Sequence, residues 1–214
     1  RIGSSAASDV YKRQLEYQNY GFHKPIMLAG GIGSIKENLI KKGAPKDGDL
    51  VIVLGGPSML IGLGGGTASS IKGISNSDLD FSSVQRSNPE MQRRAQQVLD
   101  RLNSRSTKSP ISFIHDVGAG GISNAIPELA KDTNLGVRVD LANIDCHDST
   151  MSPMEMWCNE SQERYVFSIP KKKLPALQHI CNLERCPFSV AGVLTDERKI
   201  HVEFEGKVIV DLYL

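Results

Sequence analysis

Asp116 stands where a carboxylate can do chemistry. The run Phe-Ile-His-Asp-Val-Gly-Ala-Gly-Gly-Ile at 113–122 reads as a short strand, Ile111 to His115, that delivers this acid onto a turn. The turn holds Gly118, Gly120 and Gly121, and a helix-like segment from Ile122 to Lys131 comes next. Glycines let backbone N–H groups approach an anion, a helix N-terminus favours negative charge, and an aspartate holds a hard cation. Together these features describe a phosphate-and-metal corner. The same residues also fit a tight strand-to-helix turn whose Asp caps the helix.

Two other polar clusters carry candidate chemistry. One is Asp78, Asp80, Gln85, Arg86 and Asn88. The other is Asn159-Glu160-Ser161-Gln162-Glu163, between Trp157 and an apolar strand. Gln and Ser both donate and accept hydrogen bonds, which suits an amide or ribose-phosphate ligand, and Glu160 can take a cation or a hydroxyl. The plain alternative for the second cluster is an exposed turn with a satisfied helix cap. His115 beside Asp116 fits a structural hydrogen bond, and His23, His147, His179 and His201 lack ligand spacing. Cys146, Cys158, Cys181 and Cys186 form no C-x-x-C pair, so a zinc site is disfavoured, and each fits a small buried side chain.

The elements that must position these groups alternate between strand and helix. Asp49 to Leu54 is a continuous apolar strand stopped by Gly55-Gly56-Pro57, and Ile26 to Ala29 could form another. The glycine-rich stretch Ile61 to Ser70 lacks the Lys of a P-loop, and it fits a generic anion loop or a flexible connection. Asn88-Pro89-Glu90 starts a helix with a capping side chain, a proline at the first helical position and an acid at the positive end of the dipole. Met91, Ala95, Val98, Leu99 and Leu102 give that helix one apolar face. Residues 103–109 read as a polar turn. Arg164 to Ile169 is a strand, and Leu174, Leu177, Ile180 and Cys181 suggest a helix after Pro170. Phe188 to Val193 and Lys199 to Phe204 are further strands, and Val208 to Leu212 fits either one more strand or the start of a linker. Mixed strands and helices imply an α/β or α+β domain.

Bulk properties narrow the function. The 214 residues carry a net charge of +1, so no basic excess exists to neutralise a nucleic-acid backbone. Lys171 to Lys173 is the one compact basic run and fits a solvated helix start. No apolar stretch approaches the roughly 20 residues of a membrane span. Nothing resembles a signal peptide, so reduced thiols and a cytoplasmic location are expected. Arg1 to Gln14 has a Gly/Ser/Ala bias and little periodicity, and Asp9 to Gln14 resembles the translation of a transposon-end sequencing adapter. Residues 1–14 are therefore expected to be a non-native leader, with 15–47 preceding a main domain at 48–214.

Several long motifs, in order, resemble one family: the large single-chain phosphoribosylformylglycinamidine synthases of purine biosynthesis. The resemblance is carried by Gly21 to Gly33, Leu54 to Met59, Ile61 to Ser70, Asp78 to Arg86, Asn88 to Met91, His115 to Gly121, Met151 to Pro153 and Trp157 to Tyr165. It implies that 48–214 is the first C-terminal subdomain of the aminoimidazole-ribonucleotide-synthetase type, and that 15–47 is the tail of the N-terminal subdomain before it. It also implies an ATP-dependent ligase that converts formylglycinamide ribonucleotide to its amidine with ammonia drawn from glutamine. By the same resemblance Asp116 would bind magnesium, and Gln85, Glu160, Ser161 and Gln162 would contact substrate. No catalytic residue is carried over. The upstream ATP loop, the second synthetase half and the glutaminase domain would be partners elsewhere in the same protein, and this segment alone would not turn over. The two halves of the family's large form hold non-equivalent nucleotide sites. Arg86-Ser87-Asn88-Pro89 departs from the Gly-Asp-Pro of smaller members, which bears on local substrate contacts. Another ATP-binding member of the superfamily, such as a selenophosphate or thiamine-phosphate kinase-like protein, and a structural half-domain without a working site are the alternatives.

Overall fold

The computed structural model describes residues 30–63, 88–104 and 109–214. Contacts divide the chain into two compact units, Arg1–Glu37 and Asn38–Leu214. The first is described only at 30–37, and the second holds the sheet and its helices. Gln85 and the Ile26 to Ala29 strand lie outside the described residues.

A mixed seven-stranded sheet forms the centre, in the order β2-β4-β1-β5-β3-β6-β7. Its strands are β1 (Leu50–Gly55), β2 (Phe113–Asp116), β3 (Gly136–Asp140), β4 (Arg164–Ile169), β5 (Phe188–Thr195), β6 (Lys199–Phe204) and β7 (Lys207–Tyr213). Neighbours are antiparallel except β3 and β6, which run parallel. Among the described residues four helices flank it: α1 (Pro89–Ser104), α2 (Ile122–Thr133), α3 (Pro153–Cys158) and α4 (Leu174–Glu184). The architecture is α/β, as the alternation in the sequence implied.

β1 reads as an unbroken apolar run because both its faces are covered. Leu50, Ile52 and Leu54 pack with Ala95, Val98 and Leu99 of α1 and Leu177 and Cys181 of α4. Val51 and Val53 face the other way, toward Ile122, Ile126 and Leu129 of α2 and Trp157 of α3. A strand buried on both sides shows no polar alternation. Hydrophobic burial therefore locks helices to both faces and fixes where the loops at each strand end must lie.

Two elements were absent from the sequence-based expectation. β3 is short and begins on a glycine, and Arg138 points outward between two buried valines. α3 has only six residues, too few for periodicity to show. It depends instead on a capping box: Ser152 Oγ accepts from Glu155 N at 3.3 Å, and the Glu155 carboxylate accepts from Ser152 N at 2.7 Å. Ser152→Ala should lower stability by about 1 kcal/mol. In a domain of this size that is a fall of about 2–4 °C in Tm, readable in a thermal melt. Lys171–Lys173 forms an exposed single turn ahead of α4, as a solvated helix start would. No described helix is long and apolar enough to cross a membrane.

Candidate functional site

Three loops converge at one rim of the sheet because strand register brings them there. β1 ends with Gly55 opposite Arg164, and β2 ends with Asp116 opposite Tyr165. The first residues of β4, and the run 159–163 before them, therefore meet the loops that leave β1 and β2. The start of α1 joins the same rim: Asn88 Oδ1 caps Met91 N at 3.1 Å, and Gln92 Nε2 donates to the Tyr165 hydroxyl at 2.8 Å.

Asp116 presents its carboxylate to solvent, with its side chain 80% exposed. It does not cap α2. That helix begins after Gly121 with no side-chain cap, so the capping alternative for this acid is excluded. His115 Nδ1 lies 2.7 Å from the Asp116 carbonyl oxygen and 3.6 Å from its carboxylate, and Nε2 faces Glu128. The imidazole thus ties the end of β2 to α2, the structural bond expected for it.

The turn after Asp116 is packed from below. Val117 N donates to Arg164 O at 3.0 Å, and Gly121 N donates to Gly118 O at 3.0 Å. Gly120 N donates to Glu160 Oε1 at 2.9 Å. Two of the glycine amides that could cradle an anion are therefore already bonded within the protein. Gly121 has φ 62°, and a Cβ there would lie 2.0 Å from Asn159 O, so only glycine lets the two loops touch.

The run 159–162 is no exposed turn. Asn159, Glu160 and Ser161 are all buried, Glu160 at 7% exposure. Ser161 Oγ accepts from Met59 N at 2.9 Å and donates to Asn159 Oδ1 at 2.6 Å. Glu160 N donates to Ile61 O at 2.8 Å, and Gln162 Nε2 donates to Glu160 O at 2.9 Å. Gly62, at φ 64°, packs so tightly on Glu160 that an added Cβ would sit 2.6 Å from the Glu160 Cβ. The loop carrying Met59 and Gly62 is anchored in turn by Ser58, whose N donates to Asp145 O and whose O accepts from His147 N. Glu160 thus stands where the loops after β1 and β2 meet the one before β4.

Arg164 was read from the sequence as the first residue of a strand and as part of the family-like motif Trp157 to Tyr165, with no role of its own. Its guanidinium is buried, with Nη1 donating to Asn159 Oδ1 at 3.3 Å. Burial pushes its pKa down to about 10, while Cys146 and Asp145 pull it partly back. The Asn-Glu-Ser-Gln-Glu-Arg run was the available signal, since a lone cation after so many polar residues is unusual at the start of an apolar strand.

The chemistry available at this rim is that of an exposed carboxylate beside a helix N-terminus and a braced polar run. Among the described residues no three His, Cys, Asp or Glu side chains gather to hold a metal ion. Magnesium commonly takes only one or two protein carboxylates and completes its shell with water and substrate phosphates, so Asp116 fits a share of such a site. All four cysteines are free. Burial pushes the Cys181 thiol up to about 12 and the Cys186 thiol up to about 11, so neither is a nucleophile at neutral pH. Two cavities, of about 210 and 340 Å³, lie elsewhere, one lined by Arg138, Lys199 and Asp211, the other by Lys42, Phe113 and Asp132.

Residues 46–205 match the family model described as AIR synthase related protein, C-terminal domain. The chain belongs to this family. Solved structures agree on the fold of this AIR-synthase-related domain. Thermotoga maritima PurL complexed with FGAR superposes with a TM-score of 0.73 at 22% identity, covering 83% of this chain and 29% of that one. Phosphoribosylformylglycinamidine synthase II from the same organism gives 0.68 at 20% identity, covering 83% and 27%. Thiamine-monophosphate kinase from Stenotrophomonas maltophilia gives 0.52 at 14%, covering 78% and 53%. The chain thus spans under a third of the synthase structures it resembles. The family match ends at residue 205, so β7 lies outside it.

Proposed function

We propose that this AIR-synthase-related domain is one part of a phosphoribosylformylglycinamidine synthase, with residues 15–47 as the tail of the preceding N-terminal subdomain. The observation that carries the reading is Asp116: an exposed carboxylate, free of any capping duty, at the rim where the run 159–162 is braced. The motif resemblance and the fold shared with PurL solved with FGAR and with ATP support it.

In this reading ATP transfers its γ-phosphoryl group to the amide oxygen of formylglycinamide ribonucleotide and leaves as ADP. Ammonia, released from glutamine in another domain, attacks the resulting iminophosphate carbon, and phosphate departs to give the amidine. Magnesium, when bound, would neutralise charge on the transferred phosphoryl group. Asp116 is its ligand in this chain. Glu160, Ser161 and Gln162 form the substrate wall, and Gln85 is a further substrate contact. Within it Ser161 contributes through a hydroxyl committed to Met59 and Asn159, and so holds the wall's shape. Pre-set geometry of this kind lowers the entropic part of the barrier.

The test uses the complete protein that contains this domain. Supplied with formylglycinamide ribonucleotide, ATP, magnesium and either glutamine or ammonia, it should form the amidine and ADP in equal amounts by mass spectrometry. ADP formation driven instead by thiamine monophosphate would move the domain to the kinase branch of the superfamily. No turnover with either substrate would leave a structural half-domain.

A further inference from the structure

We propose that Arg164 is a positioning residue for the substrate-binding run 159–162, kept in place of an apolar side chain at a cost in folding stability; this rests on the synthase reading above. Arg164 opens β4 and is 2% exposed. Among the described residues its guanidinium forms no salt bridge, and its Nε has no hydrogen-bond partner. A buried charge without an ion pair is expensive, and an apolar side chain of similar volume often serves stability as well or better. Folding alone therefore does not explain an arginine here.

What the guanidinium holds does explain it. Asn159 Oδ1 accepts from Arg164 Nη1 at 3.3 Å, from Ser161 Oγ at 2.6 Å and from Ser161 N at 3.4 Å. Its Nδ2 donates to Glu155 O and Met156 O, both at 2.8 Å, which fastens it to the last turn of α3. An amide oxygen shared by three donors is favoured when one of them is charged. From Asn159 the bonds continue through Ser161 Oγ to Met59 N, while Glu160, between the two, holds Gly120 N. One buried cation thus sets the side chain that fixes the backbone on both sides of Glu160. Removing it takes the one charged donor from Asn159 Oδ1, which loosens the amide's hold on Ser161 and so the placement of the run relative to Asp116.

The experiment compares wild type, Arg164→Met and Arg164→Lys in the complete protein. Three readouts are taken: KM and kcat for the formylglycinamide ribonucleotide, Tm, and amide hydrogen exchange. Arg164→Met should raise KM about tenfold, as expected for losing a hydrogen bond to a charged group, and change kcat less. Its Tm should equal or exceed that of wild type. Exchange should quicken at Met59, Ser161 and Gly120 and stay unchanged in the middle of β1. Arg164→Lys, which keeps the charge, should recover part of the KM. An unchanged KM, or unchanged exchange at those three amides, overturns the positioning role. A Met variant that melts well below wild type or fails to fold overturns the stability cost, and Arg164→Lys then decides the positioning role through KM and exchange. If the wild type makes no amidine, the synthase reading falls by itself, and the exchange rates alone decide whether Arg164 braces the run.

Discussion

Under the proposed synthase reading, Asp116→Asn in the complete protein should slow ammonia-dependent amidine formation by about 100-fold or more, the scale of losing one group that stabilises transition-state charge. Its stability should change by no more than about 0.5 kcal/mol, as for other exposed positions. The two expectations separate because the carboxylate does so little for the fold. It is 80% exposed, it does not cap α2, and among the described residues the ionisable side chain beside it is His115, with Nδ1 at 3.6 Å. That nitrogen already lies 2.7 Å from the Asp116 carbonyl oxygen, a contact the asparagine retains. Asparagine also keeps the shape and one oxygen while losing the charge a hard cation requires. Raising magnesium should therefore restore part of the rate. Activity near that of wild type would move this rim to a structural nucleotide site or a plain turn. A fall in Tm in step with the rate would make Asp116 structural.

What the sequence disclosed depends on how local each signal is. α1 was readable because its cap, its proline and its apolar stripe all lie within one stretch, and Ala95, Val98, Leu99 and Leu102 are the residues it buries. β1 was readable from its continuous apolar run, and β4 from the alternation along its length. β3 and α3 were not, because five and six residues leave no room for a period. Asp116 and Glu160 were picked out by type and neighbours. That they share a rim is a consequence of Gly55 pairing with Arg164 and Asp116 with Tyr165, contacts between segments far apart in the chain. Burial was equally hidden. Asn159 and Ser161 have polar side chains that composition assigns to a surface turn, yet both are enclosed because they bond to one another, to α3 and to Met59. The role of Arg164 was hidden for the same reason, since its partner and its desolvation are products of the fold.

Gly121→Ala should lower stability by about 3 kcal/mol or more. Two effects add. The backbone at Gly121 has φ 62° and ψ −147°, a region that L side chains essentially do not enter. The new Cβ would also stand 2.0 Å from Asn159 O, 2.9 Å from its carbonyl carbon and 3.3 Å from that of Cys158. All three are backbone atoms at the end of α3, which cannot swing aside as a side-chain tip can. Relief requires the turn at 118–121 to part from the run at 159–160, and that breaks the bond from Gly120 N to Glu160 as well. A loss of this size is a fall of about 6–12 °C in Tm for a domain of this length. Gly118→Ala is the internal control, because an added Cβ there meets nothing within 4 Å. It should melt close to wild type, so its turnover reports on ligand approach alone. A Gly118 variant that folds normally but binds ATP or ribonucleotide poorly would show that the open side of the turn faces the phosphate. If it also turns over normally, the glycines of this turn serve the packing of Asn159 and Glu160 rather than an anion.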